Sequence, residues 1–396
     1  MVIGVGALGN EVLKNLALFG VGSIVLVDFD TIEQSNLTRS ILFRREDADK
    51  GYYKVEVAAR RIREINPDIQ ILPVCGDLLT DTGLGFYRRM DVVIGCLDNL
   101  QARLALNRQC HRAGKTWIDG GIGELEGQVS VYQPGKNCYE CNLTDEEKCD
   151  LNRAMPCAGM VTLNAAAGQT PTTSVSASII GAIQVQEAMK HINRDVYATT
   201  GKTDKAQTMT NSAFTTLVGK LFFYEGMHPS AGIYDFATFD KDCTAHEYWN
   251  PVVEMPKLSA DTTISEAFAL LKQALSVDTV EINLRNDKFV DRIVSRESNQ
   301  RFFPMLPASK IPLYIKANEE LFYLNATEGF YQHDFENIDE SFPYQQFTLR
   351  NIGIPYLDII QVSTPHGLFY AEFSQDIYNF INYFYLCHPK NENTQI

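Results

Sequence analysis

The chain has 396 residues, 45% hydrophobic and 21% charged, with a formal net charge of −14 and nine cysteines. That composition belongs to an ordinary globular protein, and the length suggests two domains. The acidic balance excludes a phosphate-backbone partner such as nucleic acid. No basic start with a cleavage site marks a secreted precursor, and the most apolar long stretch, residues 160–186, carries too many Asn, Gln, Ser and Thr residues for a membrane span. An odd cysteine count does not suit a fully paired secreted framework, so a reducing cytoplasm is expected, with cysteines used for metal or catalysis.

In chain order, MVIGVGALGN begins inside a strand with almost no run-up, which is expected of a misplaced start or a lost leading segment. NEVLKNLALFG has helical periodicity and ends at Gly20. SIVLVDFD reads as a buried strand ending in acids, KVEVAARRIREIN as an amphipathic helix and IQILPVCG as a strand. TDTGLGFYRRM reads as helical, DVVIGCLDN as a strand, LQARLALNRQCHRAG as a helix and TWIDGGI as a strand. This alternation implies an α/β fold, a Rossmann-like, mostly parallel sheet with right-handed crossovers. LEGQVSVYQPG alternates and extends the sheet antiparallel. PTTSVSASIIGAIQVQEAMKHI reads as a long buried helix with small residues on one face, residues 197–215 as a polar loop, and KLFFYEG and IYDFATF as strands. The texture changes near Pro256, so residues 1–255 and 256–396 are expected to form a first domain and a smaller α+β domain. The second opens on the capped helix DTTISEAFALLKQAL and continues through TVEINL, KFVDRIV and LFYLN as strands.

Gly4, Gly6 and Gly9 form G-x-G-x-x-G between a strand and a helix, where backbone can approach a phosphate at the helix N-terminus. Asp28 ends the next strand, where an acid bonds a ribose hydroxyl. Alone, these describe an NAD-dependent oxidoreductase. The next segment, DFDTIEQSNLTRS with Lys54 and later GCLDN, suits a different chemistry. An enzyme that adenylates a carboxylate must hold a nucleoside triphosphate, neutralise it and seat Mg²⁺. Asn36 and Arg39 can donate to phosphates, Lys54 adds a point charge, and Asp98 lies at a strand's carboxyl end where a Mg²⁺ ligand would sit.

Taken together, G-V-G-A-L-G, D-F-D with S-N-L-x-R, K-V-E-x-A, I-N-P and C-L-D-N followed by Arg103 resemble the ubiquitin-activating superfamily, which includes the bacterial adenylating enzymes of molybdopterin and thiamin synthesis. The resemblance covers about residues 1–255. It implies that Asp28 holds ribose, that Asn36, Arg39 and Lys54 hold the phosphates of ATP, and that Asp98 holds Mg²⁺. Arg103 would either order that site or be a surface helix residue. Members usually form a homodimer and carry an N-terminal helix with an arginine that reaches the partner subunit's ATP; this sequence begins after that region.

Cys138 and Cys141 make C-x-x-C, one half of a tetrahedral zinc site, and Cys243 and His246 supply C-x-x-H. The resembling enzymes carry a second C-x-x-C at a comparable place, so His246 reads as a substitution that zinc tolerates, giving a closed Cys₃His site for Zn²⁺. In those enzymes a crossover-loop cysteine takes the activated acyl group as a thioester, or sulfur as a persulfide. Cys157, in P-C-A-G-M ahead of the small-residue helix, fits that place, with Cys149 as the other candidate, Arg153 as a nearby helper, and inert loop cysteines as the alternative. Cys75, Cys96, Cys110 and Cys387 read as core. The aromatic C-terminal part carries no motif; by position it would recruit a conjugating enzyme. The expected reaction is ATP-dependent adenylation of the C-terminal glycine of a ubiquitin-like, β-grasp protein, leading to conjugation as in bacterial operons that resemble ubiquitin pathways, with phage defence as one setting. Sulfur-carrier adenylation, hydride transfer with NAD and a catalytically dead scaffold are the alternatives.

Overall fold

The computed structural model describes residues 1–78, 80–144, 172–193, 215–236, 239–284, 288–295, 300–311, 314 and 330–376. Among them, no helix is long and apolar enough to cross a membrane. The first unit is α/β. Its eight-stranded sheet runs in the order β3 (Gln70–Val74), β2 (Ser23–Val27), β1 (Val2–Ile3), β4 (Val93–Gly95), β5 (Trp117–Ile122), β6 (Glu126–Tyr132), β7 (Lys220–Glu225), β8 (Ser230–Asp235). The first five strands of that order pair in parallel, and β6, β7 and β8 continue antiparallel. The parallel strands are joined by helices α1 (Ala7–Phe19), α2 (Arg45–Asp49), α3 (Lys54–Ile65), α4 (Leu84–Arg89) and α5 (Leu100–Ala113). Strand order reverses between the neighbours β1 and β4, so the crevice outside their carboxyl ends is the switch point at which such sheets bind ligands.

Helix α6 (Ser174–Ile192) is capped by Thr173, whose side chain accepts from the Ser176 amide. Its buried stripe, Ala177, Ile180, Gly181, Gln184, Val185 and Ala188, is the small-residue face read from the sequence. A Cβ at Gly181 would lie 3.0 Å from the Glu11 Cβ, so the missing side chain is what lets α6 approach α1. Gln184 reaches the sheet, donating to the carbonyls of Gly95 (2.9 Å) and Ile118 (3.3 Å) and tying the ends of β4 and β5 together. Cys96 and Cys110 are buried and Cys75 half-buried; Cys387 lies outside the described residues.

A second, five-stranded sheet has the order β15 (Asn337–Ile338), β10 (Glu281–Asn283), β16 (Ile359–Thr364), β17 (Gly367–Glu372), β9 (Val252–Glu254). Its first strand thus starts just ahead of Pro256. A smaller sheet groups β11 (Phe289–Ser295) with β12 (Arg301–Phe302), β13 (Leu306–Pro307) and β14 (Phe330–Phe335). LFYLN lies outside the described residues. Helix α7 (Ile264–Leu275) opens on the capping box formed by Thr263 and Glu266.

The two units share one core. Leu84, Tyr87, Trp117 and Tyr132 of the first lie in the same buried cluster as Phe268, Ile282, Leu357 and Phe373 of the second. At the seam the Asp358 side chain accepts from the Leu84 amide at the start of α4 (2.8 Å), and the fully buried Glu372 takes both Arg88 and Arg89. A Cβ at Gly83 would meet the Tyr356 carbonyl oxygen at 2.3 Å, which is backbone and cannot give way cheaply. Gly83→Ala is therefore expected to destabilise the protein by about 2–3 kcal/mol, read as a lowered thermal midpoint; an unchanged midpoint would mean the units are not in firm contact there.

Candidate nucleotide and metal sites

The glycine loop is built by close approach. Gly4 has φ +92°, and a Cβ there would stand 2.4 Å from the Cys96 carbonyl oxygen. A Cβ at Gly9 would stand 2.1 Å from the Gly4 carbonyl oxygen. These two glycines pack β1, α1 and the end of β4 against one another. Gly6 differs: nothing lies within 4 Å of the Cβ position. It is the N-cap of α1, it makes no side-chain cap hydrogen bond, and the first turn holds no acid. A helix start left uncapped beside open space is a place for an anion.

Asp28 closes one side of this loop. Its Oδ2 accepts from the Val5 amide at 2.7 Å and its Oδ1 from the Asp30 amide at 2.8 Å. Burial raises its pKa, opposed by the Lys54 charge and those two amides. Lys54, the first residue of α3, is buried and pairs with Asp30 Oδ2 at 2.6 Å. Asn36 and Arg39 lie on the 3₁₀ turn Gln34–Thr38 and just after it. The Asn36 Oδ1 accepts from the Glu33 amide (3.0 Å), and the half-exposed Arg39 donates to the Ser35 carbonyl (3.2 Å). The basic residues stand on the β2–α3 connection, after the neighbour of the glycine-loop strand.

Asp98 is exposed, on the turn after β4. Asn99 caps α5 by accepting from the Ala102 amide (2.8 Å), and its Nδ2 donates to Asp98 Oδ1 (3.2 Å). Arg103, which the sequence left between ordering this site and facing solvent, is half-buried, its side chain 16% exposed. It bonds the Asp119 carboxylate (3.1 Å) and the carbonyls of Leu97 (2.7 Å) and Gly120 (3.2 Å). Burial lowers the Arg103 pKa, and Asp119 with Tyr139 and Asp98 together outweigh it, so the net shift is upward; burial raises the Asp119 pKa against the Arg103 charge. Arg103 thus braces the turn that presents Asp98. Asp119 and Gln184 were not singled out in the sequence; neither stands in a motif, and both act by reaching strand ends remote in the chain.

The metal candidates meet. The ligand atoms of Cys138, Cys141, Cys243 and His246 all lie within 4.8 Å of one another. Cys138 Sγ is 3.6 Å from Cys141 Sγ and 3.8 Å from Cys243 Sγ, and Cys141 Sγ is 3.3 Å from His246 Nε2. Tetrahedral ligands at about 2.3 Å from zinc lie about 3.8 Å apart, so the set fits Zn²⁺. Burial raises the Cys138 and Cys243 thiols, which makes a nearby dication the natural way to hold them as thiolates. Helix α5 props the first knuckle: the Asn107 side chain accepts from the Tyr139 amide (3.1 Å), and Arg108 grips Glu140 with two bonds (2.9 and 2.8 Å). Cys149, Cys157 and Arg153 lie outside the described residues.

A mostly parallel sheet with a glycine loop at its switch point defines a Rossmann-like α/β protein, here with a cysteine–histidine knuckle pair. The chain belongs to the ThiF family, whose model matches residues 1–243. It is 35% identical over 200 residues to the molybdopterin-synthase adenylyltransferase of Escherichia coli strain K12, covering 48% of this chain and 71% of that one. It is 39% identical over 143 residues to SUMO-activating enzyme subunit uba-2 of Caenorhabditis elegans, covering 36% of this chain and 24% of that one. To ubiquitin-like modifier-activating enzyme 5 of Xenopus laevis it is 28% identical over 211 residues, covering 48% and 49%. The chain thus spans about a quarter of the SUMO-activating subunit and half of the modifier-activating enzyme. Among solved structures, E. coli MccB with ATP aligns over 62% of this chain and 64% of that one at a TM-score of 0.46 and 21% identity, a loose likeness.

Proposed function

We propose that the protein is an activating enzyme that uses ATP to adenylate the C-terminal glycine of a ubiquitin-like protein. The observation that carries the reading is Gly6: open space over an uncapped helix start, beside a half-buried acid placed to hold ribose, Asp28. The α1 start and Lys54 would hold phosphates, with Asn36 donating through its Nδ2 and Arg39 donating once it leaves the Ser35 carbonyl. Asp98 would seat Mg²⁺, which when bound neutralises the triphosphate. The glycine carboxylate oxygen then bonds to the α-phosphorus as the bond to pyrophosphate breaks. Positioning and charge neutralisation supply the catalysis, with no covalent bond to the chain in this step. Cys157 would afterwards take the acyl group as a thioester. The zinc set would be structural. Residues 1–255 would be the adenylation domain and 256–396 a smaller domain that receives a conjugating enzyme. We place the protein in the cytoplasm as a homodimer.

A second reading keeps the adenylation and changes the fate of the adenylate, which passes to sulfur transfer. It is favoured by the likeness to the molybdopterin-synthase adenylyltransferase of E. coli, of which this chain covers 71%. Both differ from hydride transfer in one assay. ATP–pyrophosphate exchange is expected with a small protein ending in glycine, and Asp98→Ala is expected to lower it on the order of 100-fold with the fold intact, because Asp98 is exposed. Exchange that survives Asp98→Ala refutes its metal role. A purified protein that retains a nicotinamide and shows no exchange refutes the function.

A further inference from the structure

Three rings stand in a row beside the sulfur cluster. The His246 imidazole lies between the Phe239 ring, at 4.7 Å and 10°, and the His111 ring, at 4.9 Å and 29°. His111 comes from the last turn of α5 and is buried, whereas Phe239 is 40% exposed. The fourth ligand in this chain is an imidazole, and an imidazole needs more guidance than a thiol. A cysteine sulfur offers lone pairs in several directions and is aimed by one rotation. The Nε2 lone pair lies in the ring plane, so the plane itself must be set. Metal-bound histidines usually set it by donating from the other nitrogen to a carboxylate or carbonyl. Here His246 Nδ1 is buried and has no hydrogen-bond partner among the described residues. What holds the ring is contact on both faces, because turning it about its Cβ–Cγ bond would drive its edges into both neighbours.

We propose that Phe239 and His111 are the positioning residues that let an imidazole serve as the fourth metal ligand of this site, a role that rests on the site holding zinc. They work through His246 and do not touch the ion. The two faces differ in risk: His111 is part of the α5 core, whereas Phe239 can be changed at the surface.

The test is chelator-driven zinc release from the full chain, followed with a chromogenic chelator, with zinc content measured beforehand and cobalt(II) charge-transfer spectra used to count thiolates. Phe239→Leu is expected to keep one zinc and to release it about 10-fold faster. In a His246→Cys background, where no ring needs aiming, Phe239→Leu is expected to change nothing. His111→Phe, which keeps the ring and removes both nitrogens, is expected to release zinc at the wild-type rate with an unchanged cobalt spectrum. Equal acceleration by Phe239→Leu in both backgrounds would show a mere cover, and no acceleration in the His246 protein would show no role; either overturns the proposal while the zinc site stands. A wild-type protein without zinc overturns the zinc reading and this proposal with it.

Discussion

Gly6→Ala is expected to leave the protein folded and to weaken ATP binding at least 10-fold, about 1.4 kcal/mol. The backbone at Gly6 is extended, with φ −75° and ψ −156°, outside the left-handed region that demands glycine, and beyond its chain neighbours nothing lies within 4 Å of the added methyl. The change narrows the unfolded chain's freedom, but alanine is a poorer N-cap than glycine, so the thermal midpoint is expected to fall only slightly. The methyl would instead occupy the space through which a phosphate approaches the α1 start. Gly9→Ala is the contrasting variant. Its methyl would meet the Gly4 carbonyl oxygen at 2.1 Å, a backbone atom pinned by the neighbouring end of β4, so binding and stability fall together. Calorimetric titration with ATP and thermal unfolding separate the two cases. Wild-type affinity in Gly6→Ala would remove the glycine loop from the nucleotide site.

The second large effect is at the metal. Cys243→Ser is expected to lose the bound zinc and about 4 kcal/mol or more of stability, the range in which loss of a metal falls. Cys243 lies 105 residues from Cys138 in the chain, so an ion held by both closes a long loop that would otherwise cost entropy on folding. Serine keeps the shape and replaces a soft sulfur with a poor zinc ligand. The check is zinc content beside the thermal midpoint, compared with wild type stripped by a chelator. The stripped protein and the variant should melt alike. A full complement of zinc in Cys243→Ser would break the ligand set.

The candidate nucleotide side, as a glycine loop and its acid, was legible because its signals are local. A strand, three glycines at fixed spacing and an acid at the next strand's end sit within a short stretch, and the periods of strand and helix set where each falls. The connection that carries Asn36, Arg39 and Lys54 was also readable as chemistry, but its present pairings were not. Lys54 bonds Asp30 and Arg39 bonds the Ser35 carbonyl because the chain turns back on itself there. Arg103 shows the limit most clearly. On sequence it could equally have faced solvent on an α5 surface; its burial depends on Asp119 and the Leu97 and Gly120 carbonyls, which only the packing of β4 beside β5 brings together.

The sequence by itself determined the alternating α/β order, the glycine loop with its acid, and both halves of the cysteine–histidine set, since each strand, helix, loop and knuckle is written in a short run of neighbouring residues. Tertiary structure alone decided that the two knuckles meet, that Gln184 and Asp119 brace the strand ends, that Phe239 and His111 flank His246, and that Glu372 and Asp358 lock the second unit onto α4. The reason is physical. Local elements arise from the propensity and periodicity of neighbours, whereas these contacts join residues far apart in the chain, and their geometry exists only once the apolar faces have packed.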